Sequence, residues 1–140
     1  MDVREYLKSN IIVFDGAMGT MLQKKGLQAG DLPECLSITH PDTVLEIHRE
    51  YVLAGADIVT TNTFQACELK LEGSGYSVEE IVNAGVSLAK KSGARYTALD
   101  IGPTGQLLEP MGTLSFDKAY ELFKRQMKKK KKAGANLILI

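Results

Sequence analysis

At 140 residues the chain suits one ordinary domain and not two, and its 44% hydrophobic and 24% charged content are those of a soluble globular protein. Seventeen basic residues balance seventeen acidic ones, which removes the electrostatic reason to expect nucleic acid or an anionic membrane as partner. No apolar run approaches the roughly 20 residues of a membrane helix, and Asp2, Arg4, Glu5 and Lys8 leave no apolar signal-peptide core, so we expect a cytoplasmic protein.

Residues 1–9 read as a short amphipathic helix with Val3, Tyr6 and Leu7 on one side, placed to cover one end of a sheet. Ile11-Ile12-Val13-Phe14 then suits a strand buried on both faces, because period-two alternation is absent. Asp15 stands where that strand stops. Gly16 and Gly19 bracket a turn in which the backbone can take positive φ or approach a ligand, aiming amides 16–19 at an anionic group. On these residues alone, a tight turn with a solvated Asp explains the pattern equally well. Thr20–Lys25 makes a turn or two of helix. Gly26–Ser37 is irregular, with turn residues at Gly30, Asp31 and Pro33, and so long a connection is often functional.

Pro41-Asp42 opens a clear helix whose buried stripe is Val44, Ile47, His48, Tyr51 and Val52, and Gly55 ends it. On that stripe His48 is expected to be packed, with one ring nitrogen satisfied; His40, before Pro41, is expected to be exposed. Ile58-Val59-Thr60-Thr61 is a β-branched second strand closing on Asn62-Thr63-Phe64. Ser77 and Glu80 form a capping box for a helix with Ile81, Val82, Gly85, Leu88 and Ala89 on one face, ended by Gly93. Tyr96–Ile101 is a third strand, running into the loop Gly102-Pro103-Thr104-Gly105, which either cradles an anion or shapes the floor of a pocket. Near Ser115 a last helix starts, with Phe116, Tyr120, Phe123 and Met127 as its expected core face, and Gly134 ends it. Within it Lys128–Lys132 circle the helix, which conflicts with the apolar stripe expected there. Leu137–Ile140 is a fourth buried strand.

The strands start at residues 11, 58, 96 and 137, and three of them follow a helix-ending glycine: Ala54-Gly55-Ala56-Asp57, Ser92-Gly93-Ala94-Arg95 and Ala133-Gly134-Ala135-Asn136. Alternation at this interval predicts successive βαβ units and a parallel sheet. A doubly wound domain fits the length, but its strand order would have to reverse, and a last strand without a following helix is awkward for it. The preferred architecture is the (β/α)8 TIM barrel, which needs roughly 200 residues or more, so that this chain is its first half, with four parallel βα units. Placement favours it: Asp15-Gly16, Asn62-Thr63 and Gly102-Pro103-Thr104 all follow strands, on the face where barrel active sites are built.

Taken together, Phe14-Asp15-Gly16-Ala17-Met18-Gly19-Thr20, Leu32-Pro33-Glu34 with Leu36, Pro41-Asp42 with Ile47-His48 and Tyr51, Ala54-Gly55-Ala56-Asp57, Thr61-Asn62-Thr63-Phe64 and Asp100-Ile101-Gly102-Pro103-Thr104-Gly105 run in order along the chain. They resemble the homocysteine S-methyltransferase family, closest to the homocysteine-binding N-terminal domain of cobalamin-dependent methionine synthase. The resemblance implies a barrel that methylates the thiol of homocysteine to form methionine, with cobalamin expected as a cofactor of the complete protein in a methionine synthase. It also implies a zinc ion held by three cysteines, and coordination would turn a thiol of ordinary pKa about 8.5 into a thiolate. By the same resemblance Asp15 accepts from the substrate ammonium, amides around Gly16, Ala17 and Met18 meet its carboxylate, and Asn62 and Thr63 line the pocket. From the residues alone, Asn62 and Thr63 as readily bond the neighbouring backbone.

The departures are as informative. The family's zinc cysteines lie in the second half of the barrel, and Cys35 and Cys67 do not match them; nor is there an acid after the fourth strand, where the family places a glutamate. Cys35 and Cys67 are read as reduced thiols, and their spacing gives no support to a metal site with His40. Residues 1–140 are therefore expected to be the N-terminal half of a homocysteine-binding barrel with no second domain, binding no zinc or cobalamin and inactive alone. The expected partners are homocysteine and either the missing C-terminal half-barrel or a second copy that closes the sheet as a homodimer. Two alternatives stand beside this: a half-barrel that self-associates without catalysis, and an unrelated self-contained α/β binding domain, which a reversed strand order would favour.

Overall fold

Each strand of the sheet is entered from a helix that ends on a glycine with positive φ, Gly55 at 106°, Gly93 at 89° and Gly134 at 77°, a conformation that other residues adopt at a cost. The computed structural model describes residues 2–28 and 30–140, with all their side chains except those of 129–132. The elements are α1 (Val3–Tyr6), α2 (Met18–Lys24), a 3-10 turn (Pro33–Cys35), α3 (Leu36–Thr39), α4 (Pro41–Leu53), β1 (Ile58–Thr60), α5 (Glu68–Leu71), α6 (Val78–Lys91), β2 (Tyr96–Asp100), α7 (Phe116–Ala133) and β3 (Leu137–Leu139). The strands form one parallel sheet in the order β1-β2-β3, with Ile58 opposite Tyr96 and Ala98 opposite Leu137. The order follows the chain without reversal, as in successive barrel units and unlike a doubly wound sheet.

Two strand expectations need correction. Residues 11–14 lie beside β1, but only one bridge forms, Phe14 to Ile58, supported by the Val13 carbonyl accepting from the Asp57 and Ile58 amides at 2.8 and 3.2 Å. Among the described residues this segment has a partner on one side only, and Ile11 is 87% exposed instead of buried. At the opposite edge β3 is half-buried, and Ile140 beyond it is exposed for the same reason.

The core follows the apolar stripes. Ile81, Val82 and Val86 of α6 pack with Leu99 and Ile101, while Leu22 of α2 meets Val44 and Ile47 of α4 and Leu88 of α6. The expected capping box starts α6: Ser77 Oγ accepts from the Glu80 amide at 3.2 Å, and Glu80 Oε2 accepts from the Ser77 amide at 2.8 Å. Val3 and Tyr6 of α1 cover the sheet where β1 and β2 begin, Tyr6 standing edge-on to Tyr96, but Leu7 is exposed. The Arg95 guanidinium lies over the Tyr6 ring, 4.5 Å from its centroid, and reaches Asp57 at 3.5 Å. In α7 the buried positions are Ala119, Leu122 and Gln126, with Phe123 partly buried; Phe116, Tyr120 and Met127, expected inside, are exposed. The helix carries two apolar faces, and only one has sheet and helix to cover it. Of the lysine run, Lys128 is exposed and the side chains of 129–132 lie outside the described residues. No helix among the described residues is long and apolar enough to cross a membrane.

His48 departs from expectation in another way: it is 0% exposed, and neither ring nitrogen has a partner. Burial alone pushes its pKa from 6.5 down to about 4. The unfolded chain therefore binds the proton first, so stability falls as pH drops below 6.5 and the loss is complete near 4. Between pH 7 and 5 this group should cost about 2 kcal/mol. Buried carboxyls with raised pKa act in the opposite sense, so the wild type is compared with His48→Met, where the histidine part of the pH slope should vanish and stability at pH 7 should be equal or higher. Parallel pH slopes in urea unfolding would refute the assignment.

Gly102 is a point of close approach. Its amide donates to the Phe64 carbonyl at 3.1 Å, joining the loops after β1 and β2, and an added Cβ would run into that oxygen and the Phe64 ring. Gly102→Ala should therefore lose about 1–3 kcal/mol in urea unfolding, and an unchanged midpoint would contradict the contact.

Candidate functional site

The C-terminal ends of all three strands, together with residues 14–19, open onto one cavity of ≈ 590 Å³. In α/β sheets this end collects ligands, because the loops leaving the strands converge there. Asp15, Gly16, Ala17, Met18, Asn62 and Thr63 all line it, with Glu34, Thr60, Gln65 and Asp100.

Asp15 is held from β1. Its own amide donates to the Ile58 carbonyl at 3.0 Å, while Oδ2 accepts from the Thr60 amide at 2.9 Å and Oδ1 from the Thr60 hydroxyl at 3.0 Å. Desolvation nevertheless outweighs these bonds and raises its pKa, with a smaller push from the Asp100 charge.

Gly16 and Gly19 do not take the positive φ their sequence allowed. The reason for glycine at 16 is space: a Cβ there would lie 2.8 Å from the Tyr51 ring, whose hydroxyl donates to the Ala17 carbonyl at 3.0 Å. Ala17 is the residue before α2, and no side chain caps that helix, so the first-turn amides beginning with Met18 are left open at the cavity wall.

Asn62 and Thr63 are buried and work within the chain. Asn62 Nδ2 donates to the Pro33 carbonyl at 2.7 Å and to Ser37 Oγ at 3.1 Å, pinning the long first connection against the loop after β1. Thr63 Oγ1 donates to the Asp100 carbonyl at 2.7 Å and shares a 2.6 Å bond with Thr61 Oγ1, which also accepts from the Asp100 amide at 3.1 Å. Gly85 of α6 leaves room for Thr63: a Cβ would stand 2.9 Å from its methyl. The Gly102–Gly105 loop lies outside the cavity lining. Its Gly102 amide is already bonded to Phe64, and Thr104 Oγ1 donates to the Gln106 carbonyl at 3.2 Å, the behaviour of a rigid loop.

Two carboxyls were not singled out from sequence. Glu34 is 2% exposed; Oε1 accepts from the Gln65 amide at 2.8 Å and Oε2 has no partner. Asp100 ends β2 on the cavity, and its carboxylate takes no hydrogen bond among the described residues. Desolvation raises both pKa values. A signal for Asp100 is present in the sequence, since an apolar strand ending in an acid repeats the Phe14-Asp15 pattern; Glu34 stands in the Leu32-Pro33-Glu34 motif, which by itself assigns it no role. Among the described residues no three His, Cys, Asp or Glu side chains form a set able to hold a metal ion, and Cys35 and Cys67 are free.

A family model for homocysteine S-methyltransferases matches residues 12–140. Methionine synthase of Mycobacterium leprae is 36% identical over 108 residues, covering 71% of this chain and 9% of that protein. The metallated form of the homocysteine methyltransferase MmuM from Escherichia coli shares the fold with a TM-score of 0.82 at 22% identity, over 97% of this chain and 55% of that one. Its apo form superposes with a TM-score of 0.71 at 25% identity, over 97% and 51%. The chain thus spans about half the length of the solved relative and a small part of the curated one. With a sequential parallel sheet, a cavity at its C-terminal end and a family match over nearly its whole length, the chain belongs to the homocysteine S-methyltransferase family.

Proposed function

We propose that residues 1–140 are the N-terminal half of a homocysteine-binding (β/α) barrel and supply the amino acid end of its substrate site. The complete barrel transfers a methyl group to the homocysteine thiol and forms methionine; this chain alone is inactive. The observation that carries the reading is the cavity lined both by Asp15, fixed by Thr60, and by the start of α2, which no side chain caps. Asp15 then accepts from the substrate ammonium while the Gly16, Ala17 and Met18 amides donate to its carboxylate, opposite charges at the two ends of one small group. Asn62 and Thr63 line the pocket by holding its walls. The work is done in the cytoplasm, where Cys35 and Cys67 stay reduced.

The residues present do not fit the zinc that the family resemblance implies, since no three-ligand set is found among those described. In this reading zinc and cobalamin belong to other parts of the complete protein, and no step on this chain runs through either.

A second reading is favoured by the uncovered apolar surface. Ile11, Val13 and Phe14 at one edge of the sheet, Leu139 and Ile140 at the other, and Phe116 and Tyr120 on α7 are all exposed. Such edges pair with whatever strand is offered, and two copies meeting edge to edge would close a sheet with two-fold symmetry.

Calorimetric titration of L-homocysteine into the 140-residue chain tests the first reading. Asp15→Ala should weaken binding by about tenfold or more, the range for a hydrogen bond to a charged group; equal binding, or none to either protein, would sink it. Light scattering at micromolar concentration tests the second, which expects the mass of a dimer, whereas a monomer would count against it.

A further inference from the structure

The lining of the cavity is one-sided in charge. Asp15, Glu34 and Asp100 are all on it, and no Lys, Arg or His is among its described residues. Lys70 is the cation whose charge reaches Glu34, but its ammonium lies by the Phe64 ring, 5.8 Å from the centroid, and makes no hydrogen bond with the carboxyl.

The three acids differ in what they have left to offer. Both Asp15 oxygens already accept from Thr60. Glu34 is shut into the wall with Oε1 on the Gln65 amide and Oε2 unpartnered, a buried group that no cation among the described residues neutralises directly. Asp100 alone is half-buried, lines the cavity and has a carboxylate without an internal donor, while its backbone is locked on both sides, amide to Thr61 Oγ1 and carbonyl to Thr63 Oγ1. An unpartnered carboxylate on a strand end whose backbone is held, with Glu34 Oε2 also unpartnered in the wall, makes a wall built to meet a cation. The acids do not form a metal-ligand set among the described residues, which favours a cation that takes more room and contacts them singly.

We propose that Asp100 is, with Asp15, the receiver of the substrate's ammonium group, and so determines that the ligand is an α-amino acid and not the corresponding plain acid. Resting on the reading above, this assigns it a second carboxylate. An ammonium has three donors. Asp15 can accept one on a remaining lone pair, Asp100 another, and the positive charge also relieves the repulsion that Asp100 exerts on Asp15 and on Glu34.

The test compares L-homocysteine with 4-mercaptobutanoate, which lacks only the amino group, in calorimetric titrations of the wild-type chain, Asp100→Asn and Asp15→Ala. Asp100→Asn should weaken homocysteine by at least about tenfold and leave 4-mercaptobutanoate unchanged or tighter, since a like charge has been removed. Its melting temperature should equal or exceed that of the wild type, which separates lost recognition from lost folding. Should Asp15→Ala lose homocysteine while Asp100→Asn keeps it within twofold, the homocysteine reading stands and the Asp100 assignment falls. Equal affinity of the wild type for the two ligands would overturn the assignment as well, and binding of neither would overturn both.

Discussion

The site depends on two hydrogen bonds, from the Thr60 amide and the Thr60 hydroxyl to the carboxylate of Asp15. The segment that carries Asp15 makes a single bridge to β1, and its backbone bonds there reach only Asp57 and Ile58. The side chain supplies what the ladder does not, fastening the end of the edge segment to the end of β1. From the other side Tyr51 closes on Gly16 and Ala17, so the turn into α2 is fixed between a strand and a helix. Those contacts also set the electrostatics. A carboxylate tied into a cavity wall is partly stripped of water, and desolvation then outweighs the donors that stabilise its charge.

The loop after β1 extends the same arrangement inward. Thr61 and Thr63 grip the backbone of Asp100, Asn62 grips Pro33 and Ser37, and the Gln65 amide grips Glu34. A satisfied polar network of this kind fixes one geometry, because each partner removed would leave a buried group unpaired. Against that background the groups left unpartnered stand out: Glu34 Oε2 in the wall and the Asp100 carboxylate on it. Polar contacts that satisfy one another hold the shape; of the two left open, Glu34 Oε2 is shut away and the half-buried Asp100 lines the cavity.

The exposed apolar surface has a common origin. A parallel sheet is comfortable only with both faces covered and both edges paired. Here α1, α4 and α6 cover what they can, but the edge at residues 11–14, the edge at β3 and one face of α7 meet nothing among the described residues. Unpaired edges and an uncovered helix face leave apolar side chains in water, and the solved relative shares this fold over 55% of its own length.

Much was legible from the chain alone. Helix-ending glycines, the Ser77–Glu80 capping box, the α4 and α6 stripes and the parallel order of β1, β2 and β3 all follow from local chemistry and from a period of strand and helix, which act over a few residues. The motif from Phe14 to Thr20 and its companions led to the family for the same reason, since close backbone approach and strand-end acids are written in residue types. What needed the tertiary structure was coverage and partnership. Ile11 and Phe116 look like core residues in sequence and are exposed because nothing packs on them; His48 looks like a satisfied histidine and has no partner. Glycine at 16 is explained by a tyrosine 35 positions away, and whether Asn62, Thr63, Glu34 and Asp100 hold the wall or face the cavity depends on loops that meet only when the strands align. Periodicity reports which residues could be buried, but burial, hydrogen-bond partners and electrostatic neighbours are properties of pairs distant in the chain, and only the fold brings those pairs together.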